Sequence, residues 1–442
     1  MKQYERFIFD SVEFDEGSGQ IRLHYSLDNE ISFTETLTLP EELALVATDS
    51  PALERALFAL HLIGGISYFK TCLPQTIEVR SGLLTKEQAA FWNTVYEQGL
   101  GEFFFKNDID PTNTIHFPVT GGDASPIEAG KKGKTKVLVP IGGGKDSLVT
   151  MELLKEAHIS TTLLRIGDHH LIRGMAFTAN LPLLNIKRAL SPELFKLNEE
   201  GALNGHVPIT AYLSFLSVVI AIVTGHTDVV LSNESSANEG NIEWKGRSIN
   251  HQWSKSMAFE RMLQEYLAQF VTKDVSCFSL LRRWSELSIV EKFVEYPQYL
   301  PLFTSCNRNW HLLAKKEMPS KWCGECPKFA FAFLLLAAFL PKDEVVGVFG
   351  KNLFEDAKLL PLYRELLGLT GQKPFECVGT PTEVQAAFLM AKNRGEFDGT
   401  PVMKMFLDES EPSVTNEDET IGEAMLPSDD HAIPADFLPL VS

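Results

Sequence analysis

Three consecutive glycines, between an apolar run and a helical segment, constrain the fold of this chain more than any other feature. Residues 137–141 are apolar and β-prone, Gly142, Gly143 and Gly144 follow, and Lys145 begins a stretch with helical spacing. Glycines let a backbone approach a ligand closely. The N–H groups and the positive dipole end of the next helix favour an anion. The sequence therefore predicts a strand, a pyrophosphate-binding loop and a helix.

Two other glycine-rich phosphate-binding motifs require residues at positions where this sequence has different ones. A Walker loop ending at Lys145 needs glycine in place of Val139 and Ser or Thr in place of Asp146. A dinucleotide fingerprint that starts at Gly142 needs Gly or Ala in place of Ser147. A plain strand–turn–helix corner is the alternative without a ligand. The predicted nucleotide-binding residues are Gly142, Gly143, Gly144, Lys145, Asp146 and Ser147.

Periodicity along the chain predicts an α/β protein of two domains. Residues 1–40 alternate apolar and polar side chains, which indicates strands, with a turn at residues 15–19 between the first two. Residues 51–100 have helical spacing. We interpret residues 1–119 as a smaller α+β N-terminal domain and the small, polar stretch 120–136 as a linker. Over residues 137–407, β-prone runs alternate with helices, which predicts a parallel sheet covered on both faces and a C-terminal extension.

Charge distinguishes the end of the chain from the rest. The formal net charge is −18, and residues 408–442 contain ten acidic residues and no Lys or Arg, which leaves −8 for the remainder. This composition predicts a mobile acidic tail over residues 408–442. The negative remainder argues against a nucleic-acid partner, because nucleic-acid affinity depends on Lys and Arg contacts with phosphates.

The apolar stretches predict neither a membrane span nor export. Residues 209–224 and 329–340 are shorter than the roughly 20 residues that cross a bilayer, so we interpret both as buried helices of an α/β domain. The N-terminal MKQYERFIFD lacks the apolar core of an export signal. Because six cysteines in such a chain are typical of reduced thiols, we expect a cytoplasmic protein.

The glycine loop closely resembles the SGGxDS loop of the PP-loop ATP pyrophosphatases. Gly143, Gly144, Asp146 and Ser147 match that motif, while Gly142 stands where the superfamily usually has Ser. The resemblance implies a HUP-like, Rossmann-type nucleotide-binding domain. Members of the superfamily cleave ATP between the α- and β-phosphates and pass AMP to a carboxylate or carbonyl.

Six further segments of the sequence make the resemblance specific to one family. Together with the loop, they are similar to the UDP-N-acetylmuramoyl-L-alanyl-L-glutamate epimerase family over about residues 130–380. That family inverts the α-carbon of the terminal glutamate of a peptidoglycan precursor and converts ATP to AMP and pyrophosphate. The resemblance implies ATP and Mg²⁺ as cofactors and UDP-MurNAc-L-Ala-L-Glu as the substrate. The segments are LNGHVPITA (203–211), VVLSNESSANEGN (229–241), INHQWSKS (249–256), FTSCNRNW (303–310), WCGECPKFAF (322–331) and KPFECVGT (373–380).

Adenylation explains why such an epimerase would consume ATP. Loss of an α-proton next to a free carboxylate would build a dianion, whereas an adenylate has lost the carboxylate charge and its carbonyl is a better electron sink. A base then removes the proton, reprotonation on the other face inverts the centre, and water releases AMP. The sequence is compatible with two routes to the loss of the α-proton, which are direct deprotonation of the adenylate and prior closure to an oxazolone.

Candidate acid–base and substrate residues lie in the family-like segments. Glu234 and Glu239 follow a strand, at the edge of a parallel sheet where ligands bind, so they could accept a proton or hold Mg²⁺. Solvated loop carboxylates are the alternative for both, and a structural histidine is the alternative for His206 and His251. The catalytic candidates are Glu234, Glu239, His251 and Cys306, and the substrate-binding candidates are Asn204, His206, Lys255 and Arg308.

The cysteines allow several roles. Cys323 and Cys326, with Cys306 upstream, have a spacing that suggests a zinc site, with His311 as a candidate fourth ligand. Thiols that act as acid and base beside the α-carbon, or plain buried thiols, are the alternatives. We interpret Cys72, Cys277 and Cys377 as core or surface fillers.

Two other classes of function are compatible with the loop. Another PP-loop adenylating enzyme would need a basic RNA-binding domain for tRNA thiolation, or an N-terminal nucleophilic Cys for amide synthesis. The sequence has neither, since Met1 is followed by Lys2. A non-catalytic adenine-nucleotide-binding module would bind ATP without releasing pyrophosphate. The oligomeric state is not encoded in any pattern that we recognise.

Overall fold

A mixed nine-stranded sheet forms the centre of the computed structural model, which describes residues 2–41, 43–46, 48–112, 114–121, 127–128, 130, 133–306, 321–371 and 373–442. The strands are β1 (Arg6–Asp15), β2 (Gln20–Leu27), β3 (Ile31–Thr38), β4 (Thr76–Val79), β5 (Lys136–Pro140), β6 (Ser160–Ile166), β7 (Leu183–Ala189), β8 (Asp228–Leu231), β9 (Ile242–Trp244), β10 (Arg247–Ile249) and β11 (Ser276–Ser279). The sheet has the order β11-β8-β5-β6-β7-β3-β2-β1-β4, and β9 and β10 form a separate hairpin.

Helices cover both faces of the sheet. They are α1 (Pro51–Gly64), α2 (Ile66–Phe69), α3 (Lys86–Gly99), α4 (Gly101–Lys106), α5 (Lys145–Glu156), α6 (His170–Ala179), α7 (Pro192–Glu199), α8 (Ile209–Thr224), α9 (Met257–Tyr266), α10 (Glu286–Phe293), α11 (Pro327–Phe339), α12 (Lys342–Phe349), α13 (Leu360–Leu366), α14 (Pro381–Arg394), α15 (Pro401–Glu409) and α16 (Glu417–Met425).

The first three strands form the antiparallel meander that their period of two predicts. The predicted turn between β1 and β2 is present: the Asp15 carboxylate accepts hydrogen bonds from the backbone N–H of Gly17 (3.0 Å) and the hydroxyl of Ser18 (2.6 Å). Gly19 completes the turn with a φ of +62°, a conformation that favours glycine. Side chains of one face, such as Leu23 and Tyr25, are fully buried.

The parallel half of the sheet confirms the predicted α/β alternation. β5 pairs in parallel with β6 and β8, β6 with β7, and β8 with β11. In chain order these five strands run 3-2-1-4-5, the order of doubly wound sheets, whose ligands bind where the order reverses. Val137 and Val139 enter one core with α5, and Leu138 enters the other with α8, so both faces are covered.

The N-terminal strands do not form a sheet of their own. β3 pairs antiparallel with β7, so one sheet continues from the N-terminal strands into the parallel strands. Tyr25 of β2 and Leu138 of β5 belong to the same hydrophobic core. The division at residues 120–136 that the composition suggested therefore separates stretches of sequence and does not separate two sheets or two cores.

A buried ion pair lies at this junction. The Arg188 guanidinium on β7 donates two hydrogen bonds to the Glu35 carboxylate on β3, at 2.8 and 3.2 Å. The hydroxyls of Tyr68 and Tyr212 donate to the same carboxylate at 3.0 and 2.6 Å. Glu35 is fully buried, and four donated hydrogen bonds satisfy its two oxygens. We call Glu35, Arg188, Tyr68 and Tyr212 the seam network.

The prediction of a mobile acidic tail over residues 408–442 is wrong. The tail contains α16, and its apolar residues Ile433, Phe437 and Val441 are buried in the core. The Phe437 ring lies 4.9 Å from the ring of Phe278 on β11. The acidic residues are tolerated because basic side chains of the body pair with them. These pairs are Lys392 with Glu411 and Glu417, Arg364 with Glu409, and Arg261 with Asp430.

The two apolar stretches of the sequence are α8 and α11. Both bury most of their side chains within the cores of the α/β body. Within the described part of the chain, none of the helices combines the length and the apolar character that crossing a membrane requires.

Candidate active site

The glycine loop lies at the point where the strand order reverses. β5 ends at Pro140, Ile141 still donates a backbone hydrogen bond to Leu164 (2.9 Å), and α5 begins at Lys145. Gly143 has a φ of +84°, which favours glycine, and its carbonyl accepts a hydrogen bond from the N–H of Thr304 (2.9 Å). The predicted order of a strand, a glycine turn and a helix is confirmed, while pyrophosphate binding stays a prediction. The carboxyl end of β5 is where a ligand of this sheet would bind.

The loop is open on its outer side. Gly142 is exposed, and a Cβ added there would meet no described atom within 4 Å. Gly144 is the N-cap of α5, so no N-cap side chain occupies the first N–H groups of the helix. The Ser147 hydroxyl turns back and donates to the Gly144 carbonyl (3.2 Å). An anion could therefore approach the loop and the start of α5 without displacing a side chain.

Lys145 does not extend from the loop as a free charge. Its side chain is 8% exposed, and its ammonium contacts the carboxylates of Asp146 and Glu286. Burial by itself would lower the pKa of Lys145, but the two carboxylates outweigh burial and raise its pKa. Lys145 thus stays charged and holds both acids beside the loop.

Several acidic side chains lie around Lys145 beside the glycine loop. Burial raises the pKa of Glu286 to about 8, Lys145 opposes this shift, and the charges of Asp146, Glu234 and Glu383 add to it. The Glu383 carboxylate also accepts the backbone N–H of Glu286 at 2.7 Å. We call Lys145, Asp146, Glu234, Glu286 and Glu383 the loop network. Neither Glu286 nor Glu383 stood out in the sequence, because each is far from the loop along the chain.

The two carboxylates after β8 have different surroundings. Glu234 is 2% exposed and belongs to the loop network, as expected for a residue at this edge of the sheet. Glu239 is exposed, and its carboxylate lies 3.6 Å from the ammonium of Lys373. Of these two catalytic candidates, the structure brings only Glu234 to the loop.

A second group of titratable side chains surrounds His251. Its Nδ1 hydrogen bonds to the Glu102 carboxylate, and the side chain of Cys377 is close enough to affect the charge of its ring. Burial alone would lower the pKa of His251, but Cys377 and Glu102 raise it to about 9. Burial alone would raise the pKa of Cys377, but Lys255, Lys328 and His251 lower it to about 5. The pair is therefore a thiolate and an imidazolium near neutral pH.

The interpretation of Cys377 as a filler is consequently wrong. No local motif distinguishes it from Cys72 or Cys277, and only the folded chain brings it to His251 and Lys255. Glu102 on α4 is likewise a site residue that sequence reasoning missed. It lies 149 positions from His251, in a segment where no motif was visible.

His206 completes this group. Its ring lies 4.4 Å from the ring of His251, and its Nδ1 lies 3.5 Å from the Glu102 carboxylate. Burial and the charge of His251 lower the pKa of His206 to about 4, so it is neutral beside a charged neighbour. We call Glu102, His206, His251 and Cys377 the histidine group. Ligand atoms of the first three lie within 4.8 Å of one another, and the Glu102 carboxylate also pairs with Lys106 and His251.

Asn204 lies at the margin of the histidine group. Its side-chain oxygen accepts a hydrogen bond from the ammonium of Lys70 (2.8 Å), and its carbonyl accepts one from Asn107 (3.4 Å). Burial lowers the pKa of Lys70 to about 8. Arg308, the remaining substrate-binding candidate, lies outside the described residues.

Lys255 connects the loop network with the histidine group. Burial would lower its pKa, but the negative charges of Cys377, Glu234, Asp146 and Glu286 raise it. A single ammonium is therefore within electrostatic reach of both groups. The fully buried Arg282 helps to position it by donating to the carbonyls of Lys255 and Glu234, each at 2.7 Å.

Cys306 belongs to a third group. Its sulfur lies within 4.8 Å of those of Cys323 and Cys326, so the structure brings together the three cysteines that the sequence suggested as metal ligands. His311, the candidate fourth ligand, lies outside the described residues. We call Cys306, Cys323 and Cys326 the thiol cluster.

Two protein-family models match the chain. The model described as the MurL N-terminal domain matches residues 1–280, and the one described as the MurL C-terminal domain matches residues 302–421. The first match includes residues on both sides of the stretch 120–136, together with the glycine loop and most of the histidine group. The second includes the thiol cluster and Cys377, so the site draws on both matched regions.

Three curated relatives cover nearly the whole chain, and each bears the name UDP-N-acetyl-alpha-D-muramoyl-L-alanyl-L-glutamate epimerase. The relative from Xanthomonas oryzae pv. oryzae (strain MAFF 311018) is 40% identical over 433 residues, which cover 98% of this chain and 96% of the relative. The relative from Micromonospora sp. is 34% identical, and the match covers 99% of this chain and 98% of the relative. The relative from Salinispora tropica is 36% identical, and the match covers 92% of this chain and 89% of the relative.

Proposed function

This chain belongs to the MurL family of UDP-N-acetyl-alpha-D-muramoyl-L-alanyl-L-glutamate epimerases, and from that premise we propose that it is an ATP-dependent epimerase. Its substrate would be UDP-MurNAc-L-Ala-L-Glu, whose terminal L-glutamate becomes D-glutamate. Activation would proceed through an acyl-adenylate, with release of AMP and pyrophosphate. The product would serve peptidoglycan precursor synthesis.

The position of Lys255 is the observation that carries the proposal. Its ammonium interacts with Asp146 and Glu286 at the loop and with Cys377 of the histidine group. A glutamyl carboxylate that reacts at the loop would have its α-carbon one bond away. Activation at one group and proton transfer at the other are therefore compatible with a single bound substrate.

The loop would receive the phosphates of ATP. The open side of Gly142, the positive φ of Gly143 and the free start of α5 suit a pyrophosphate group. The glutamyl carboxylate would attack the α-phosphorus, the bond to the β-phosphate would break, and pyrophosphate would leave. Lys255 would hold the attacking carboxylate by charge and later offset negative charge on its oxygen.

The carboxylates of the loop network suit a divalent cation. Mg²⁺ prefers oxygen ligands and usually binds with nucleotide phosphates. Asp146 and Glu234 would hold it, and binding would relieve the repulsion that, in addition to burial, raises the pKa of Glu286. When bound, Mg²⁺ would supply charge neutralisation for the phosphates.

The histidine group would carry the proton transfer. Cys377, with its pKa lowered to about 5, is a thiolate at neutral pH and would take the α-proton of the activated glutamate. His251 would stabilise the thiolate, and Glu102 would hold the His251 ring in place through Nδ1. Return of a proton to the opposite face would give the D-centre, and water would then cleave the adenylate to AMP and the free carboxylate.

The test separates activation from proton transfer. The protein is incubated in D₂O with UDP-MurNAc-L-Ala-L-Glu, Mg²⁺ and ATP, and pyrophosphate release, α-deuterium incorporation and D-glutamate content are measured. We expect all three in the wild type and none with an ATP analogue that has a non-cleavable α,β-bridge. Cys377→Ser should keep most pyrophosphate release but lose deuterium incorporation by about a hundredfold, within the usual contribution of general acid–base catalysis.

Cys72→Ser is the matched control, because Cys72 is a partly buried thiol outside the three groups, and it should behave as the wild type. Deuterium exchange without nucleotide would mean that the bases act on the free carboxylate, which would refute activation by adenylation. Binding of ATP with no pyrophosphate release for this substrate would instead favour a different adenylating enzyme or a nucleotide-binding module.

A further inference from the structure

The thiol cluster is a side-chain cluster that the proposed reaction leaves without a role. Cys306 is fully buried, Cys323 and Cys326 are partly buried, and none of the three forms a disulfide. Their sulfur atoms lie within 4.8 Å of one another. A disulfide would use only two of them, whereas a thiophilic cation would use all three.

The local backbone turns Cys323 and Cys326 toward the same point. Gly324 between them has a φ of +82°, which favours glycine and reverses the chain. Cys326 is the N-cap of α11, and its carbonyl accepts the N–H of Phe329 (3.1 Å), so the second thiol is fixed to a helix start. Two cysteines separated by two residues are the usual chelating pair of a zinc site.

Cys306 approaches from a different segment, which also contacts the glycine loop. The Thr304 hydroxyl accepts the N–H of Cys306 (3.2 Å) and donates to the carbonyl of Lys321 (2.7 Å). The N–H of Thr304 donates to the carbonyl of Gly143 (2.9 Å). One threonine therefore joins both sides of the thiol cluster to the glycine loop.

We propose that Cys306, Cys323 and Cys326 bind one Zn²⁺ ion, and that this ion holds Thr304 against the glycine loop. In a tetrahedral site with Zn–S distances of about 2.3 Å, neighbouring sulfurs are about 3.8 Å apart. The observed spacing within 4.8 Å needs only small side-chain movements to reach that separation. The three thiols release their protons on binding, and a fourth position of the ion is left for another ligand.

The role of this ion is structural support of the loop. Hydrogen bonds of Thr304 connect Cys306 of the thiol cluster with the carbonyl of Gly143. Loss of the ion would therefore loosen the loop without removing any group of the loop network or the histidine group. Metal binding itself does not depend on the proposed function, so the failure of either can be recognised separately.

Metal content tests the proposal directly. The full chain is expressed with Zn²⁺ in the medium and purified under reducing conditions without a chelator, and zinc is measured by inductively coupled plasma mass spectrometry. We expect about one zinc ion per chain in the wild type and at least a roughly fivefold loss in Cys323→Ser/Cys326→Ser. Cys72→Ser should keep the wild-type content, since Cys72 lies outside the cluster.

Cobalt provides a second measurement on the same proteins. Co²⁺ bound to the wild type should show the visible absorption of a tetrahedral thiolate site, and the double variant should lack it. Circular dichroism of each variant checks that the fold is retained, and Cys323→Ser alone, at a partly exposed position, serves if the double variant unfolds. A wild type that retains no zinc, equal zinc in wild type and Cys323→Ser, or a disulfide within the cluster would overturn the proposal.

Discussion

Two buried charged networks lie in the same sheet, and their charge balance differs. In the seam network, Arg188 faces the Glu35 carboxylate with two hydrogen bonds, and the hydroxyls of Tyr68 and Tyr212 satisfy the remaining acceptor capacity. In the loop network, the ammonium of Lys145 faces the carboxylates of Asp146 and Glu286, and Glu234 and Glu383 add further negative charge. Charges outside the network, on Lys255, Lys328 and Lys373, offset part of this negative charge.

From this difference we interpret the seam network as structural and the loop network as a candidate functional site. A buried ion pair whose hydrogen bonds are complete joins two parts of a fold and has no need of a ligand. Buried carboxylates in excess repel one another, and a cation or a positively charged substrate group would relieve that repulsion. The balanced network lies between β3 and β7, and the unbalanced one lies at the edge of the sheet where ligands bind.

The largest expected effect is at the seam. Glu35→Ala would leave the Arg188 guanidinium buried without its partner, so we expect the free energy of unfolding to fall by about 3–5 kcal/mol. Urea unfolding followed by circular dichroism measures this loss. The control is Glu13→Ala, which removes a half-exposed carboxylate 3.6 Å from Arg22 and should cost less than about 1 kcal/mol. Equal effects of the two substitutions would contradict the structural role of the seam.

An apolar contact at β11, an edge strand of the sheet, gives a reference value for the loss of stability expected at the seam network. Phe437 is buried against Phe278, so Phe437→Ala should leave a cavity and cost about 3 kcal/mol in the same unfolding experiment. Leu426→Ala, at an exposed position of the same tail, should change stability by less than about 0.5 kcal/mol. If Phe437→Ala were neutral, the ordered packing of the acidic tail would be refuted.

A substitution in the loop network should lower the enzymatic activity and leave the stability of the fold unchanged. Asp146→Asn removes a negative charge from a group with excess negative charge, so the fold should be retained. Pyrophosphate release should fall by at least about tenfold, which is about 1.4 kcal/mol in the activation free energy. Asp398→Asn, at an exposed position away from the loop, is the matched control. A variant with lower stability but wild-type turnover would assign Asp146 to the fold, like Glu35.

The smallest expected effect is a pH dependence at Glu286. Since its folded-state pKa is raised to about 8, its protonated form favours folding below about pH 4.5, and this contribution is lost as pH rises through about 8. Lys145 opposes the shift, and Asp146, Glu234 and Glu383 increase it. Glu286→Gln should therefore gain stability relative to the wild type between pH 5 and pH 8, by about 1 kcal/mol or more.

Thermal unfolding at both pH values measures this difference. Glu291→Gln provides the control, because Glu291 is an exposed carboxylate on the same helix, and its stability relative to the wild type should not change with pH. A constant difference between Glu286→Gln and the wild type would mean that burial and the neighbouring acids do not raise the pKa of Glu286, and the contrast with the seam would disappear.

Local patterns in the sequence determined the elements and the loop. The period of two over residues 1–40 identified the meander, and the apolar run before Gly142 identified β5 and the start of α5. The short apolar stretch at 209–224 was correctly assigned to a buried helix. These features depend on neighbouring residues, because glycine conformations, helix starts and side-chain alternation are properties of a few consecutive positions.

Only the tertiary structure decided which charges meet. Lys145 and Glu286 are 141 positions apart, and Glu102 and His251 are 149 apart, so no spacing in the sequence could predict either contact. The same holds for the tail, whose net charge suggested a mobile segment, although Lys392 and Arg364 pair with its carboxylates. Electrostatic interactions act through distance and burial, which are properties of the folded chain, whereas the sequence alone records composition and local order.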